Sequence, residues 1–327
     1  MSSHLVLGEL VTVFGGSGFL GRYAVQHLAE RGWRIRAAVR RPDLAGYLQP
    51  MGRLGQIHAV QANVRFPESV AHAVRDAKAV VNAVGILAPV GRQSFEAVHV
   101  EGSRAVARAA REAGAKRFVH ISAIGADLQS PSRYARTKAE AERAVLEEFP
   151  EAIIIRPSVV FGPEDDFFNR FASMAGFSPF LPLIGGGRTR FQPVYAGDLG
   201  RAIANAVEGS GTLGAAYEAG GPEIFSFRQL LDKTQEWTGR RRFYLHIPFW
   251  TANLMAALTW PLPNSIRPFT LDQVRLLKRD NVVSAAAEQE GRNLQGLGVS
   301  RLHTAESIVP VYLEHFRPRG QFARYRG

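Results

Sequence analysis

The 327-residue sequence contains no cysteine, so disulfide bonds and thiolate-bound metals are excluded. Its nine histidines are scattered without the spacing of metal ligands, and we therefore expect no metal site. The stretch before the first predicted strand, residues 1–9, is too short for a secretory or transit peptide. A cytoplasmic origin is expected, unless a leader has been removed.

Negative charge is scarce relative to positive charge. The chain carries 29 Asp and Glu against 40 Lys and Arg, which gives a net charge of +11. The excess is greatest in residues 240–327, with 13 Lys and Arg against 6 Asp and Glu. A basic surface suits nucleic acid, anionic lipid or an acidic partner subunit, and it is also compatible with simple solvation.

Charged residues are absent from the window 243–266, which prolines interrupt. Its uninterrupted part, residues 249–260, would form about 18 Å of helix at ~1.5 Å per residue, too short to cross a bilayer. One face of that helix would carry Trp250, Leu254, Met255 and Leu258. The flanking arginines are Arg240, Arg241, Arg242 and Arg267. The segment is thus expected on a membrane surface, in a partner's groove, or as a core helix of a small lobe.

Glycine, in contrast, is present and regularly spaced near the start of the chain. Residues 10–21, LVTVFGGSGFLG, combine a short apolar run with Gly15, Gly18 and Gly21, and a segment of helical period follows at 23–31. This order predicts a strand, a tight turn and a helix that together bind a dinucleotide. Gly15 would turn the chain, Gly18 would let the backbone approach the pyrophosphate, and Gly21 would let the helix pack on the strand.

Apolar runs alternate with helical periods along the first 160 residues. The predicted strands are 10–14, 34–39, 56–62, 78–83, 117–122 and 152–156, and the intervening helices include 67–77, 94–113 and 134–149. This rhythm predicts an α/β fold with a doubly wound parallel sheet of the Rossmann type. We expect a dinucleotide-binding domain at 1–160, a smaller mixed α/β lobe at 161–314 that partly returns to the sheet, and an extended basic tail at 315–327.

The end of the second predicted strand indicates which dinucleotide is bound. The strand RIRAAV runs into Arg40 and Arg41, where a fold specific for NAD usually has an acidic residue. A guanidinium at this position suits a 2′-phosphate, which predicts NADPH or NADP+. The alternative is a pair of solvated arginines.

A second motif, YARTK, places Tyr134 and Lys138 four residues apart on one helix face. A nearby ammonium favours the phenolate, so we expect Lys138 to lower the pKa of Tyr134 from about 10. Such a tyrosine could pass a proton to a substrate carbonyl near neutral pH.

The glycine spacing, the basic strand end, the run Asn82-Ala83-Val84-Gly85 and the YARTK motif together resemble the short-chain dehydrogenase/reductase family in its extended or atypical branch. The resemblance covers about half of the chain. It implies that the following residues bind the cofactor: Gly15, Ser17, Gly18, Phe19, Leu20, Arg40, Arg41, Asn63, Val64, Ala83, Val84, Gly85, Ser122, Tyr134, Lys138 and Pro157. By the same resemblance, Asn63 and Val64 would border the adenine, Ala83 to Gly85 the adjoining ribose, and Tyr134 and Lys138 the nicotinamide ribose.

The same resemblance exposes a gap in the catalytic set. Active relatives place a Ser or Thr one or two residues beyond the strand-end serine, where it polarises the substrate carbonyl. Here those positions, after Ser122, are Ala123 and Ile124, both apolar. Ser130 and Ser132 are near in sequence, but nothing in the sequence directs them inward. We therefore expect a dinucleotide-binding fold that lacks part of the catalytic set of its active relatives.

Three motifs in the second half carry a more specific resemblance. FQPVYAGD (191–198), YEAGGP (217–222) and LDQVRLLKRDNVVS (271–284) resemble the dehydrogenase-like accessory subunits of respiratory complex I. That resemblance extends over nearly the whole chain. It implies one tightly held NADPH that is not turned over. It also implies a peripheral position among other subunits near the quinone-binding region, with the C-terminal lobe toward the membrane.

Three functional hypotheses follow. The first is a non-catalytic, NADPH-binding accessory subunit on the cytoplasmic face of a bacterial inner membrane, or on the matrix side if a leader was removed. The second is an active NADP-dependent reductase or epimerase that uses Tyr134 and Lys138. The third, a dinucleotide sensor or RNA-binding protein, has only the basic tail in its favour, and we expect no nucleic-acid partner.

Overall fold

A computed structural model describes residues 8–259 and 269–318. Its strands are β1 (Leu10–Phe14), β2 (Arg34–Val39), β3 (Ile57–Gln61), β4 (Ala79–Asn82), β5 (Arg117–Ile121), β6 (Ile153–Pro157), β7 (Val160–Phe161), β8 (Phe180–Ile184), β9 (Arg190–Phe191), β10 (Val194–Tyr195), β11 (Ala216–Ala219), β12 (Phe225–Ser226) and β13 (Phe243–Ile247). Its α-helices are α1 (Phe19–Glu30), α2 (Pro67–Val74), α3 (Gly102–Glu112), α4 (Arg133–Glu148), α5 (Phe167–Phe177), α6 (Ala196–Val207), α7 (Phe227–Thr238), α8 (Phe249–Leu258), α9 (Leu271–Leu276), α10 (Ala285–Gln289) and α11 (Ala305–Tyr312). The end of the predicted tail, 319–327, and the predicted flanking Arg267 lie outside the described residues.

Within the described residues, seven parallel strands form the main sheet in the order β11-β6-β5-β4-β1-β2-β3. Strand β1 is central: Val11 pairs with Ile35 of β2 on one side and with Ala79 of β4 on the other. The strand order reverses between β1 and β4, and the crevice outside their carboxyl ends is where doubly wound folds bind ligands. The predicted α/β fold is confirmed.

Both faces of this sheet are covered, which explains its continuous apolar strands. On one face Val11 and Val13 pack with residues of α1 and α6. On the other, Phe14 packs with residues of α2 and α3. The polar exception, Thr12, donates its hydroxyl proton to the carbonyl oxygen of Ala73 at 2.8 Å, so its burial leaves no unpaired donor.

The smaller lobe combines helices with short strands, as the sequence predicts. Strand β11 returns to the main sheet beside β6, and α6 packs against α1. The rest builds on the parallel pair β8–β13 and on an aromatic core that includes Phe168, Phe227 and Trp237. The predicted boundary near residue 160 stays a prediction.

Two predicted helices differ from the structure. The first begins at Phe19 rather than at residue 23, because the glycine turn leads directly into it. The long helix predicted at 94–113 consists of a π-helical turn, Glu96–Glu101, followed by α3. Gly102 at their junction lies so close to Val64 that a Cβ there would approach its side chain to 2.8 Å.

Candidate functional site

The glycine turn lies in the crevice between β1 and β4. Gly15 has a φ of +75°, and a Cβ on it would lie 3.2 Å from the carbonyl of Ala83. A Cβ on Gly21 would lie only 2.0 Å from the carbonyl oxygen of Gly15. Both positions therefore require glycine, the first for its backbone conformation and the second for close packing of helix on turn.

The first turn of α1 is suited to an anion. Gly18 precedes this turn, no side chain caps it within the described residues, and it contains no acidic residue. Its leading amides, at Phe19 and Leu20, belong to the N–H groups that an α-helix leaves without intrahelical partners. Ser17, Gly18, Phe19 and Leu20 are thus placed to hold a pyrophosphate. We call the glycine turn together with Arg40 the phosphate end of the site.

One side chain that borders this turn carries no recognisable motif in the sequence. Tyr47, from the connection between β2 and β3, donates its hydroxyl proton to the carbonyl oxygen of Ser17. The guanidinium of Arg22 stacks over the Tyr47 ring, 4.9 Å from its centroid. These contacts fix the outer wall of the glycine turn.

The two arginines after β2 have different surroundings. Arg40 is exposed, donates to the side-chain oxygen of Gln93, and lines a cavity of about 410 Å³ together with Asn63. Arg41 instead pairs with Asp43 at 2.9 Å, and this guanidinium lowers the pKa of the Asp43 carboxyl. Arg40 is consequently the better placed of the two for a 2′-phosphate. The other lining residues of the cavity are Gln61, Ala62, Phe66, Ser69 and His72.

Asn63 and Val64 follow β3 beside this cavity. The side-chain oxygen of Asn63 accepts from the backbone N–H of Arg65 at 3.2 Å, so it shapes its own turn. Val64 is buried against Gly102. A direct contact of either residue with adenine stays a prediction.

The loop after β4 connects the two ends of the site. The backbone of Ala83 faces Gly15, and the N–H of Val84 donates to the side chain of Asn82 at 3.2 Å. A Cβ on Gly85 would lie 3.4 Å from Nζ of Lys138. The predicted ribose loop, Ala83 to Gly85, therefore extends from the glycine turn to the lysine.

Ser122, Tyr134 and Lys138 form what we call the nicotinamide end. Nζ of Lys138 donates to the carbonyl oxygen of Ile121 at 3.0 Å, and burial lowers its pKa to about 8. The pKa of Tyr134 is raised to about 12, first by burial and second by the negative charge of Asp272. The expected lowering of this pKa by Lys138 is wrong, because desolvation and Asp272 favour the neutral phenol.

Ser122 fits a role toward a ligand. It is 3% exposed, and its hydroxyl has no hydrogen-bond partner within the described residues. Buried polar atoms rarely lack partners, so a bound group or water is expected there. Pro157, at the end of β6, accepts a hydrogen bond from the N–H of Ile124 at 2.9 Å and so fixes the loop after Ser122.

Neither Ser130 nor Ser132 is free to replace the missing carbonyl donor. Ser132 accepts from the N–H of Ala135 at 3.2 Å and donates to Asp272 at 2.8 Å. Ser130 accepts from the N–H of Ser132 at 3.2 Å. Both hydroxyls support the start of α4, while Ala123 and Ile124 offer no hydroxyl of their own.

The buried His99 connects the loop after β4 to α4, the two elements that would hold the riboses. Nε2 of His99 accepts from the N–H of Ile86 at 3.1 Å, so the proton lies on Nδ1, which donates to the hydroxyl of Thr137 at 3.1 Å. Burial lowers the pKa of His99 to about 3. It is therefore a neutral link between the β4 loop and α4. The sequence offered only a lone histidine inside a helical period.

The described residues contain no cluster of His, Cys, Asp or Glu that could hold a metal ion. Within residues 8–259 and 269–318, every helix is too short or too polar to span a membrane.

Comparisons with known proteins agree with this geometry. A family described as NAD(P)H-binding matches residues 15–164. NADH dehydrogenase (ubiquinone) 1 alpha subcomplex subunit 9, mitochondrial, of Arabidopsis thaliana is 38% identical over 294 residues, which are 85% of this chain and 72% of that protein. The Mus musculus protein of the same name is 40% identical over 323 residues, 96% of this chain and 85% of that one. The chain belongs to this subunit 9 family.

Membership of the subunit 9 family confirms the resemblance carried by the three C-terminal motifs. The match to the NAD(P)H-binding family confirms a nicotinamide dinucleotide domain. An NADPH-dependent quinone oxidoreductase of Escherichia coli, solved with NADPH, has a TM-score of 0.71 at 21% identity over 92% of this chain and 99% of that chain. At this identity the likeness concerns the fold.

Proposed function

We propose that this chain is a non-catalytic accessory subunit of respiratory complex I that holds one NADPH as a structural ligand. The observation that carries the proposal is the pairing of a glycine-dependent phosphate end with full-length similarity to complex I subunits. A ligand that binds only the folded state stabilises it, by about 4 kcal/mol at 1,000 times its dissociation constant.

The preference for NADPH over NADH rests on Arg40. Its guanidinium lines the cavity beside Asn63, and no carboxylate is among the lining residues. An acidic side chain there would bind a ribose 2′-hydroxyl and repel a 2′-phosphate. The cation at this position favours the phosphorylated cofactor.

The nicotinamide end supports a role without turnover. Tyr134, with its pKa raised to about 12, is a poor proton shuttle near neutral pH. Ala123 and Ile124 provide no donor for a substrate oxygen, and loss of one such donor commonly costs ~10²–10³ in rate. The intact Tyr134 and Lys138 favour an active reductase or epimerase as the second candidate.

Purification of the native membrane complex tests the proposal. We expect this chain in complex I with one NADPH per chain by native mass spectrometry and nucleotide extraction. A complex that lacks the chain, or a folded chain without nucleotide, contradicts the proposal. The second candidate predicts NADPH-dependent turnover on a carbonyl panel that collapses in Tyr134→Phe, whereas we expect no turnover in either protein.

The proposed position is peripheral, at the membrane surface on the cytoplasmic side of a bacterial inner membrane or the matrix side of a mitochondrial one. Large apolar side chains are exposed on α5, β8, β13 and α8 of the smaller lobe. They are Phe177, Phe180, Phe243, Leu245, Trp250, Leu254 and Leu258. The exposed Arg241 lies just before β13. Apolar groups next to cationic ones suit an anionic lipid surface.

Vesicle flotation tests this contact. We expect the chain to float with anionic vesicles at low salt, and Leu254→Glu with Leu258→Glu to abolish flotation because the apolar surface is lost. Leu54, exposed in the connection between β2 and β3, gives the matched control Leu54→Glu, which should float normally. Absence of flotation by the unmodified chain would argue against the membrane contact.

A further inference from the structure

The segment 270–284, which we call the cover segment, crosses the carboxyl ends of β5 and β6. It starts with Thr270, whose hydroxyl accepts from the N–H of Gln273 at 3.2 Å while the Gln273 side chain accepts from the N–H of Thr270 at 2.9 Å. This capping box fixes the first turn of α9, so Asp272 occupies a defined position.

Asp272 accepts three hydrogen bonds from the start of α4. Its donors are the hydroxyl of Ser132 at 2.8 Å, the N–H of Arg133 at 2.7 Å and the N–H of Tyr134 at 3.0 Å. A carboxylate at a helix N-terminus also interacts favourably with the helix dipole. The helix that carries Tyr134 and Lys138 thus begins on a residue of the cover segment.

The other end of the cover segment is attached to two loops. The side-chain oxygen of Asn281 accepts from the hydroxyl of Ser158 at 2.7 Å and from the N–H of Val159 at 3.0 Å. Arg279 pairs with Asp127 at 2.8 Å. The loops after β5 and β6 are therefore both bound to the same segment.

The cover segment also packs against the smaller lobe. Val274 of α9 packs with Ala252 and Ala256 of α8 and with Phe269. Because ligands of doubly wound folds bind outside the carboxyl ends of the strands, a segment fastened there occupies the approach to the nicotinamide end.

This inference rests on the proposed NADPH site. We propose that the cover segment closes the nicotinamide end and that Asp272 is the positioning residue that holds the start of α4 at that end. Dinucleotide retention then depends on Asp272 as well as on the glycine turn. The proposed absence of turnover then acquires a steric cause, since the cover segment lies where a carbonyl substrate would approach the nicotinamide.

The test compares Asp272→Asn with Asp232→Asn. In the first variant an amide nitrogen replaces one of the two oxygens that accept from the start of α4. Asp232 of α7 lies outside the cover segment and accepts instead from the hydroxyl of Tyr244. We expect amide hydrogen exchange at Arg133 and Tyr134 to become at least about 10-fold faster in Asp272→Asn, because Asp272 is their acceptor. Release of bound NADPH, followed by fluorescence, should accelerate about as much, and Asp232→Asn should change neither rate.

The possible outcomes separate this inference from the proposed function. If the chain binds NADPH but Asp272→Asn changes neither amide hydrogen exchange nor NADPH release, the inference is overturned and the proposed function is not. A wild-type chain without affinity for NADPH would refute the proposed function, while exchange at Arg133 still decides the role of Asp272. If Asp272→Asn fails to fold, Asn281→Ala serves instead, with faster NADPH release expected and an unchanged release rate contradicting the cover.

Discussion

The two ends of the dinucleotide site differ in composition: backbone groups form the phosphate end, and side chains form the nicotinamide end. The phosphate end is formed by backbone: Gly15 adopts a positive φ, Gly21 leaves no room for a side chain, and α1 starts with N–H groups of the kind that helices leave without intrahelical partners. At the nicotinamide end side chains are present, but Lys138 bonds a backbone carbonyl and the start of α4 bonds Asp272. The contrast supports the proposal that this chain keeps its nucleotide without turning it over.

Substitution of Gly21 should have the largest effect, because it disrupts the turn that we propose holds the phosphates. In Gly21→Ala the new Cβ would lie 2.0 Å from the carbonyl oxygen of Gly15. We expect NADPH affinity, measured by calorimetry, to fall about 100-fold, about 2.8 kcal/mol. The free energy of unfolding should drop by about 3 kcal/mol.

Gly176 in α5 is the matched control for this change. A Cβ there meets nothing within 4 Å, so Gly176→Ala should bind NADPH like the unmodified chain. Normal NADPH binding by Gly21→Ala would show that the turn is not the phosphate site.

Arg40 tests cofactor choice at the same end. Arg40→Gln removes the cation beside the cavity and should weaken NADPH binding by about 1.5–3 kcal/mol, roughly 10–100-fold, while NADH binding stays the same. Arg41→Gln is the control, since Arg41 is engaged with Asp43. Equal losses for both nucleotides would assign Arg40 a structural role instead.

His99 probes the nicotinamide end through its pH dependence. Its folded pKa of about 3 lies below the unfolded value of about 6.5. Between these values the unfolded chain binds a proton that the folded chain does not, so stability falls as pH falls through this window. His99 alone contributes up to about 1.4 kcal/mol per pH unit.

The measurement is urea unfolding of His99→Asn and of the unmodified chain between pH 6.5 and 4. The variant should show the shallower loss of stability toward acid pH, whatever its stability at pH 7. Parallel pH profiles would mean that this imidazole is not buried in its neutral form.

Local sequence patterns were sufficient to predict the central strands of the fold. The predicted β1 and β2 coincide with the observed strands, since their apolar runs are bounded by glycine, arginine and proline. The capping box at the start of α7 is equally local, because Ser226 and Gln229 lie only three residues apart. Such features depend on neighbours within a few residues, which the sequence displays directly.

What the sequence could not provide depends on distant contacts. The bond from the N–H of Arg133 to Asp272 joins residues 139 positions apart. Tyr134 and Lys138 have the spacing of a catalytic pair, yet burial lowers the pKa of Lys138, and burial together with Asp272 of α9 raises that of Tyr134. The parallel pair β8–β13 was missed for the same reason, because its two strands lie far apart in the chain.

The smallest expected effect comes from a site remote from both ends and provides the reference for the others. Ser226 caps α7 by accepting from the N–H of Gln229 at 3.2 Å. Ser226→Ala should lower the free energy of unfolding by about 1 kcal/mol, or the melting temperature by roughly 2 °C. NADPH affinity should not change, because the cap touches neither end. If affinity fell as much as in Arg40→Gln, lost binding would reflect global stability, and the contrast between the two ends would disappear.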